Sequence, residues 1–342
     1  MPEPVIRDEI NLGLPHLAPF ALGDAPMLKH LGHMRWQSFE QLAGVPTAQV
    51  ADNKGRRLYA TFYYIDICYP PFAPANVFRE NDSIVVTGDL CARGRNILDG
   101  YFAIYRSGDV REKEWGVPDP ATAQKFIDAG IPYIRLSNIF IQQEQGPEKL
   151  KIGQPSNADF SKIHSLSEQP EGNDRNREAR ELGYYFPPPE NAVPAAPVKI
   201  AFDYVVDPDR DVNAAGLVYF ANFPAFFEVA ERRAMAALPN GGLPRDLADK
   251  RGTLRRKIGY FGNAKATDMI RLRAECTLDP EPITAGDITY GLLWFTSAVE
   301  RSTDQQLIAL TTAHRVVVLT NGDADRWRAY AASIRNAPPQ NL

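Results

Sequence analysis

The chain has 342 residues, 44% hydrophobic and 23% charged, with a net charge of -4; this describes a globular protein of two domains or one large one, without the basic face of a nucleic-acid binder. No apolar run approaches the roughly 18 residues that span a bilayer, and the N-terminus MPEPVIRDEI is acidic where a signal peptide is basic, so a cytoplasmic protein is expected. Cys68, Cys91 and Cys276 are isolated and lack CxxC spacing, which indicates neither a disulfide framework nor a metal site.

In chain order, residues 25–42 place Leu28, Leu31, Arg35, Phe39 and Leu42 at three-to-four spacing, the stripe of one helix. Runs rich in β-branched and aromatic residues follow at Arg57–Cys68, Ile84–Leu90, Ile97–Tyr105 and Ile134–Gln142, each read as a strand. Residues 143–180 are polar and read as extended loop with one short helix, ending in the proline-rich stretch from Pro187 to Pro197, the expected linker. Val198–Val206 reads as a strand, and a helix is predicted from Asn222 to Leu238 with Asn222 as N-cap and Phe223, Phe227, Ala230 and Ala234 on one face. Strands resume at Lys257–Asn263, Met269–Thr277, Ile288–Glu300 and Leu307–Val318. The division is 1–143, a linker over 144–197, and 198–342.

Each half is thus one helix followed by about four strands, an internal repeat of a whole domain. RRLYATF at 56–62 parallels RRKIGYF at 255–261, and NDSIVV at 81–86 parallels TDMIRL at 267–272, in the same order. A curved sheet around one helix leaves an edge open, and two copies can cover it by pairing edge to edge. The competing reading is two unrelated α+β domains.

The segment from Asp203 to Glu231 contains a polar turn with Asp211, Asn213 and Gly216, then Leu217, Val218, Tyr219 and Asn222 entering a helix that carries Glu228. It resembles the signature of hot-dog-fold acyl-CoA thioesterases, in which a carboxylate three residues before the glycine activates water or attacks the thioester. Here that position is Asn213, which cannot act as base or carboxylate nucleophile but can donate to a developing oxyanion. Backbone N–H groups around Gly216 and Leu217 are candidate additional donors. Equally, Asn213 can simply close an Asx turn.

The duplicated layout, the early helix with Leu31-Gly32-His33-Met34-Arg35-Trp36 and the strand start Arg57-Leu58-Tyr59-Ala60-Thr61-Phe62 together resemble the double hot-dog acyltransferase/decarboxylase family of leinamycin-type polyketide assembly. The resemblance implies an α+β double hot-dog fold and conversion of methylmalonyl-CoA into a propionyl group on an acyl carrier protein. It also implies a tyrosine as acyl acceptor, best matched by Tyr59, with Tyr63 and Tyr64 as neighbours. His33, Leu217, Tyr219 and Asn222 are then expected at the substrate. Decarboxylation of a malonyl-type thioester needs no cofactor, because the thioester carbonyl accepts the electrons as an enolate; the CoA or phosphopantetheine thioester is substrate. Arg93, Arg95 and Arg106 around one hairpin are candidates for the phosphates of CoA. Rival readings are a dehydratase using His33 with Glu228 or Asp211, a thioesterase, and a non-catalytic acyl-thioester binder. A homodimer of the duplicated chain is expected from the fold.

Overall fold

The computed structural model describes residues 6–18, 21–71, 73–119, 121–143, 150–167, 171–335 and 337. Of the segments singled out above, residues 144–149 and 168–170 of the polar stretch lie outside the described residues. Ten strands carry the fold. They are β1 (Ile6–Asn11), β2 (Tyr59–Cys68), β3 (Ser83–Arg93), β4 (Ile97–Arg106), β5 (Tyr133–Gln143), β6 (Val193–Val205), β7 (Arg251–Tyr260), β8 (Met269–Leu278), β9 (Ile288–Arg301) and β10 (Gln306–Leu319). The helices that matter for the site are α1 (Asp24–Ala43), α2 (Glu171–Leu182), α3 (Phe223–Ala236) and α4 (Asp323–Ile334). None of the described helices is long and apolar enough to cross a membrane.

The strands form one antiparallel path, β1-β3-β4-β5-β2-β7-β10-β9-β8-β6. Read outward from its centre, the path repeats: the order 2-5-4-3-1 in the first half is 7-10-9-8-6 in the second. The duplication therefore holds strand for strand, and a helix follows the first strand of each half. The repeat reaches individual hydrogen bonds. Asn81 N–H donates to Leu12 O and Leu12 N–H to Asp82 O, both at 2.8 Å, and Thr267 and Val206 make the matching pair with Val206 and Asp268 at 3.0 and 2.9 Å. Asn81 and Thr267 both adopt left-handed backbone, with φ of 68° and 69°. Asp82 and Asp268 each accept a backbone N–H from three residues before, at 2.9 and 3.0 Å. Two unrelated domains would have no reason to share these turns.

The halves join where β2 meets β7, with Ile65 opposite Ile258 and Tyr64 opposite Gly259. The edge-to-edge pairing expected from the sequence is this seam, which runs through the 255–261 segment of the second half and, in the first half, through residues 64–68 just beyond the 56–62 segment. Leu28, Leu31 and Phe39 of α1, and Phe223, Phe227, Ala230 and Ala234 of α3, are all buried. The two helices sit on the concave face over one continuous core drawn from both halves, in which Phe62, Phe102 and Leu136 share a cluster with Leu272 and Phe295. Burying a side chain of this size contributes roughly 1.5–3 kcal/mol, so the shared core binds the halves strongly.

Several elements differ from the reading above. β1 lies in the stretch judged merely acidic; its Ile6 and Ile10 are buried while Arg7 and Glu9, on the alternate face, are exposed. The helix expected in the polar stretch is the 12-residue α2, and it does more than connect, lying across the seam on the convex face. Asn176 donates to Tyr63 O at 2.7 Å, Tyr185 OH donates to Asn176 Oδ1 at 2.6 Å, and Tyr185 N–H donates to Thr312 Oγ1 at 2.8 Å. The connection between halves is thus fastened to both. The proline-rich insertion after β2 also crosses over: Tyr69 N–H donates to Leu254 O at 2.7 Å and Asn76 donates to Lys250 O at 3.3 Å.

Candidate functional site

An approximate two-fold between the halves creates two junctions, each where the entrance of one long helix meets the other half. They have diverged completely. At the first, the opening turn of α1 presents Asp24 to α3, β7 and β10. Arg256 Nε lies 2.9 Å from Asp24 Oδ2, and its Nη2 donates to Glu231 Oε1 at 2.7 Å. Arg315 donates from Nε and Nη2 to Glu231 Oε2 at 3.0 and 2.9 Å, and Thr253 Oγ1 donates to Asp24 at 2.9 Å. Side chains of Asp24, Glu231 and Arg256 are 0% exposed. Burial opposes ionisation of Glu231, but Arg256 and Arg315 overcome it and hold its carboxyl below the usual range. At the rim, burial pushes the Glu228 carboxyl up against the opposing pull of Arg315, 3.4 Å away. Such a sealed set of paired charges leaves no room for a substrate.

The second junction is aromatic and opens outward. Phe220, at the entrance to α3, stacks on Phe62 of β2 with centroids 3.8 Å apart. The ring lies over Gly32 of α1, where a Cβ would sit 2.9 Å from Phe220 Cζ; glycine is what permits the approach. Tyr219 packs edge-on to Phe220 at 4.8 Å, with Lys29 Nζ 5.9 Å from its ring centre. Leu217 is buried, as is Asn222. Asn222 stands at the N-cap of α3 as expected, but its side chain makes no capping hydrogen bond. Its amide donates to the carbonyls of Arg210 and Asp211 at 3.1 Å each, which anchors the preceding loop.

That loop holds Asn213 and Gly216 on the surface. Asn213 Oδ1 accepts from Ala215 N–H at 2.9 Å and Leu217 N–H at 3.3 Å, while Gly216 N–H donates to Asn213 O at 2.9 Å. Here the proposed oxyanion donors need correction: the N–H groups of Gly216 and Leu217 are already engaged within an Asx-type turn. What remains is the Nδ2 amide of Asn213, which makes no hydrogen bond to any described residue. Asp211 is buried and accepts from Tyr204 OH at 2.6 Å and Asp207 N–H at 2.9 Å, so it is a structural carboxylate. The dehydratase pairings fail on the same grounds, because His33 is exposed on α1 while Glu228 faces Arg315.

Tyr59 lies half-buried at the start of β2 in a hollow of about 210 Å³ with Trp36, Thr47, Arg57 and Phe140 among its walls. The Arg57 guanidinium stands 4.5 Å from its ring centre. Hydrogen bonds from the Thr47 backbone and hydroxyl, 2.8 Å each, hold the Glu40 carboxylate below the usual range and fix the rim of this hollow. Tyr63 and Tyr64 are buried, and desolvation raises both hydroxyls, which selects Tyr59 as the accessible one of the three. Lys29, His33 and Trp36 succeed one another at i, i+4 and i+7 on α1, so at 1.5 Å per residue the stripe runs about 10 Å from Tyr219 to the Tyr59 hollow. Tyr59 and Asn213 therefore mark two ends of one face and do not touch.

The hairpin arginines take other roles: Arg93 donates to Asp99 at 2.6 Å, Arg95 to the carbonyls of Pro155 and Ala158, and Arg106 to Asp82 at 2.9 Å. A larger hollow of about 380 Å³ lies on the convex face between the end of α2 and strands β6, β8 and β9, away from both helix entrances. Sequence reading missed the first junction entirely, since Asp24, Arg256 and Arg315 look like ordinary surface charges until the fold buries them.

No family model matches the sequence, and no curated protein matches it. Among solved structures the chain is similar to a protein assigned as an oleoyl thioesterase of Lactobacillus plantarum, with TM-score 0.58 and 11% identity over 92% of this chain and 97% of that one. It is similar also to an acyl-ACP thioesterase of Bacteroides thetaiotaomicron, with TM-score 0.51 and 11% identity over 90% and 96% of the two chains. A third is the 12:0-ACP thioesterase of Umbellularia californica, with TM-score 0.50 and 8% identity over 90% and 92%. The likeness covers both halves and is one of fold: the chain is a double hot dog.

Proposed function

We propose that this double hot dog is an enzyme acting on acyl thioesters along the outer stripe of α1, decarboxylating malonyl- or methylmalonyl-CoA and transferring the product acyl group to an acyl carrier protein. The observation that carries the reading is Tyr59 in its hollow with the Arg57 guanidinium 4.5 Å from its ring. It combines an accessible hydroxyl with a cation able to draw in the carboxylate of a malonyl group. In this scheme the Tyr59 oxygen adds to the thioester carbonyl and the CoA thiol leaves with the phenolic proton. The C–C bond to the carboxylate then breaks, its electrons forming an enolate as CO₂ departs, and a solvent proton completes the acyl ester. The carrier thiol displaces the phenol. Asn213 Nδ2, Lys29 and His33 are the groups on this face able to hold the oxyanion or the thioester arm. No cofactor enters the scheme, and cytoplasmic CoA esters and carrier proteins are its partners. A homodimer is part of the proposal, to be read by light scattering.

Thioester hydrolysis is the second reading, favoured by the thioesterase activities of the structures sharing this fold. Against it stands the position three residues before Gly216, where Asn213 replaces the expected carboxylate, and the neighbouring Asp211 is bonded to Tyr204. Incubation with methylmalonyl-CoA and a phosphopantetheinylated carrier protein, followed by mass spectrometry of the carrier, tests the first reading. A propionyl adduct, lost in Tyr59→Phe, is expected. Free acid and CoA with no adduct would transfer the case to hydrolysis, and binding of CoA esters without turnover would make the chain a binder.

A further inference from the structure

On the convex face of the first half, remote from α1, three side chains converge that the sequence separates by up to 75 positions. Asp89 and Cys91 project from the same side of β3, as alternate residues must. His164 comes from residues 150–167, the stretch between β5 and α2, where His164 and Ser165 pair in parallel with Cys91 and Ala92. Leu166 N–H donating to Ala92 O at 2.9 Å fixes that stretch against β3. Cys91 Sγ lies 3.6 Å from Asp89 Oδ2 and 3.8 Å from His164 Nδ1, and Nδ1 lies 3.7 Å from Oδ2.

We infer that Asp89, Cys91 and His164 form a binding site for a zinc ion, with a fourth coordination position open to water. Zinc bonds of about 2.3 Å to sulfur and 2.0–2.2 Å to nitrogen and oxygen, arranged tetrahedrally, put the ligand atoms about 3.3–3.6 Å apart. The observed triangle is within a few tenths of an ångström of that. The donor set has the mixture of thiolate, imidazole and carboxylate that suits zinc rather than magnesium or calcium. Metal binding displaces the thiol proton to solvent, and the resulting two negative charges balance the dication. Cys91 is buried against Tyr101 and Tyr133, Asp89 is 24% exposed and the His164 side chain is 62% exposed. The ion therefore has a dry floor, an open outer side and an entry path. Asp89 Oδ1 accepts Leu90 N–H at 2.8 Å, which leaves Oδ2 for the metal. By joining β3 to residues 150–167, the ion would staple the approach to α2, and hence the connection between halves, onto the first sheet.

The test uses the untagged full chain, stripped with chelator and dialysed against micromolar zinc, with bound metal counted by mass spectrometry. One zinc per chain is expected, with affinity at least tenfold weaker in Cys91→Ser and in His164→Ala. Because the His164 ring is largely exposed, His164→Ala leaves the melting temperature of the metal-free protein unchanged, so loss of binding cannot be ascribed to misfolding. Cobalt in place of zinc should show a thiolate-to-metal absorption band that disappears in Cys91→Ser. Added zinc should also slow amide exchange in residues 160–167 of the parent and not of His164→Ala. Absence of stoichiometric binding, equal binding by the variants, or a cobalt spectrum without the thiolate band would each overturn the site.

Discussion

Replacing Glu231 by alanine is the sharpest perturbation the first junction offers. Two carboxylates, Asp24 and Glu231, face two guanidinium groups, Arg256 and Arg315, and Glu231 alone accepts hydrogen bonds from both arginines at 2.7–3.0 Å. With Arg256 0% and Arg315 4% exposed, the variant would leave one positive charge uncompensated and out of water. Removing one partner of a buried pair costs about 3–5 kcal/mol. At roughly 2 cal/mol/K of unfolding entropy per residue, a cooperative unit of this size would melt about 4–7 °C lower. Urea denaturation at pH 7 measures the loss as a shift in midpoint at constant slope. Arg232→Ala, which breaks a 2.6 Å surface pair with Asp249, serves as control and should cost less than about 1 kcal/mol. A Glu231→Ala loss no larger than the control would refute the view that this buried network stabilises the fold. The sign with pH follows: the Glu231 carboxyl is depressed in the folded chain, so its contribution is complete above the unfolded value near 4.3 and fades as pH falls through the lower folded value.

Other consequences are equally open to measurement. The His314 ring packs against Trp294 and Phe186, and burial followed by the charge of Arg255 lowers its titration to about 4. A depressed histidine costs stability as pH drops from about 6.5 towards that value, so melting temperatures between pH 7 and 4.5 should fall less steeply in His314→Gln. At Gly259 a Cβ would lie 1.9 Å from Tyr185 Oη and 2.6 Å from Asn176 Oδ1. Gly259→Ala should therefore expel Tyr185, cost about 1–3 kcal/mol and accelerate proteolysis around α2, whereas Gly44→Ala, with nothing within 4 Å of the added carbon, should leave α2 as protected as in the parent. In the proposed reaction Arg57→Ala should raise KM for methylmalonyl-CoA more than for propionyl-CoA, since only the former presents a carboxylate; an equal effect on both would remove Arg57 from recognition.

The repeat was legible because it rests on patterns that survive divergence: a stripe such as Leu28, Leu31 and Phe39, and strand entrances such as Asn81-Asp82 and Thr267-Asp268. The opening strand escaped because Ile6 and Ile10, spaced four apart among charges, show only half of an alternating pattern. The helix expected in the polar stretch could not be placed for a related reason, since the residues α2 buries are Gly172, Asn176 and Ala179, too small and polar to read as a stripe. Helix α4 was missed as well, although Trp327, Ala331 and Ile334 are buried at helical spacing. Arg35 was read inside an apolar stripe and is indeed fully buried, donating to Leu136 O at 2.8 Å and to Leu98 O and Asn138. The site was only half legible: Tyr59, His33 and Tyr219 share one face, but the committed hydrogen bonds of Gly216 and Leu217 depend on loop closure that residue types cannot reveal.

The unlike junctions carry a consequence for how such a chain can change. In a symmetric dimer of single domains every substitution occurs twice, so the two helix entrances must remain identical and any residue that seals one also seals the other. Joining the copies in one polypeptide releases that constraint. One entrance here has become a permanent fastening of charges, and the other is free to accumulate substitutions, such as the amide at position 213, that would suit the proposed ligand. Mutational tolerance should accordingly be lopsided, with Asp24, Glu231, Arg256 and Arg315 nearly immutable and the rim of the second entrance the place where variants with altered substrate range arise.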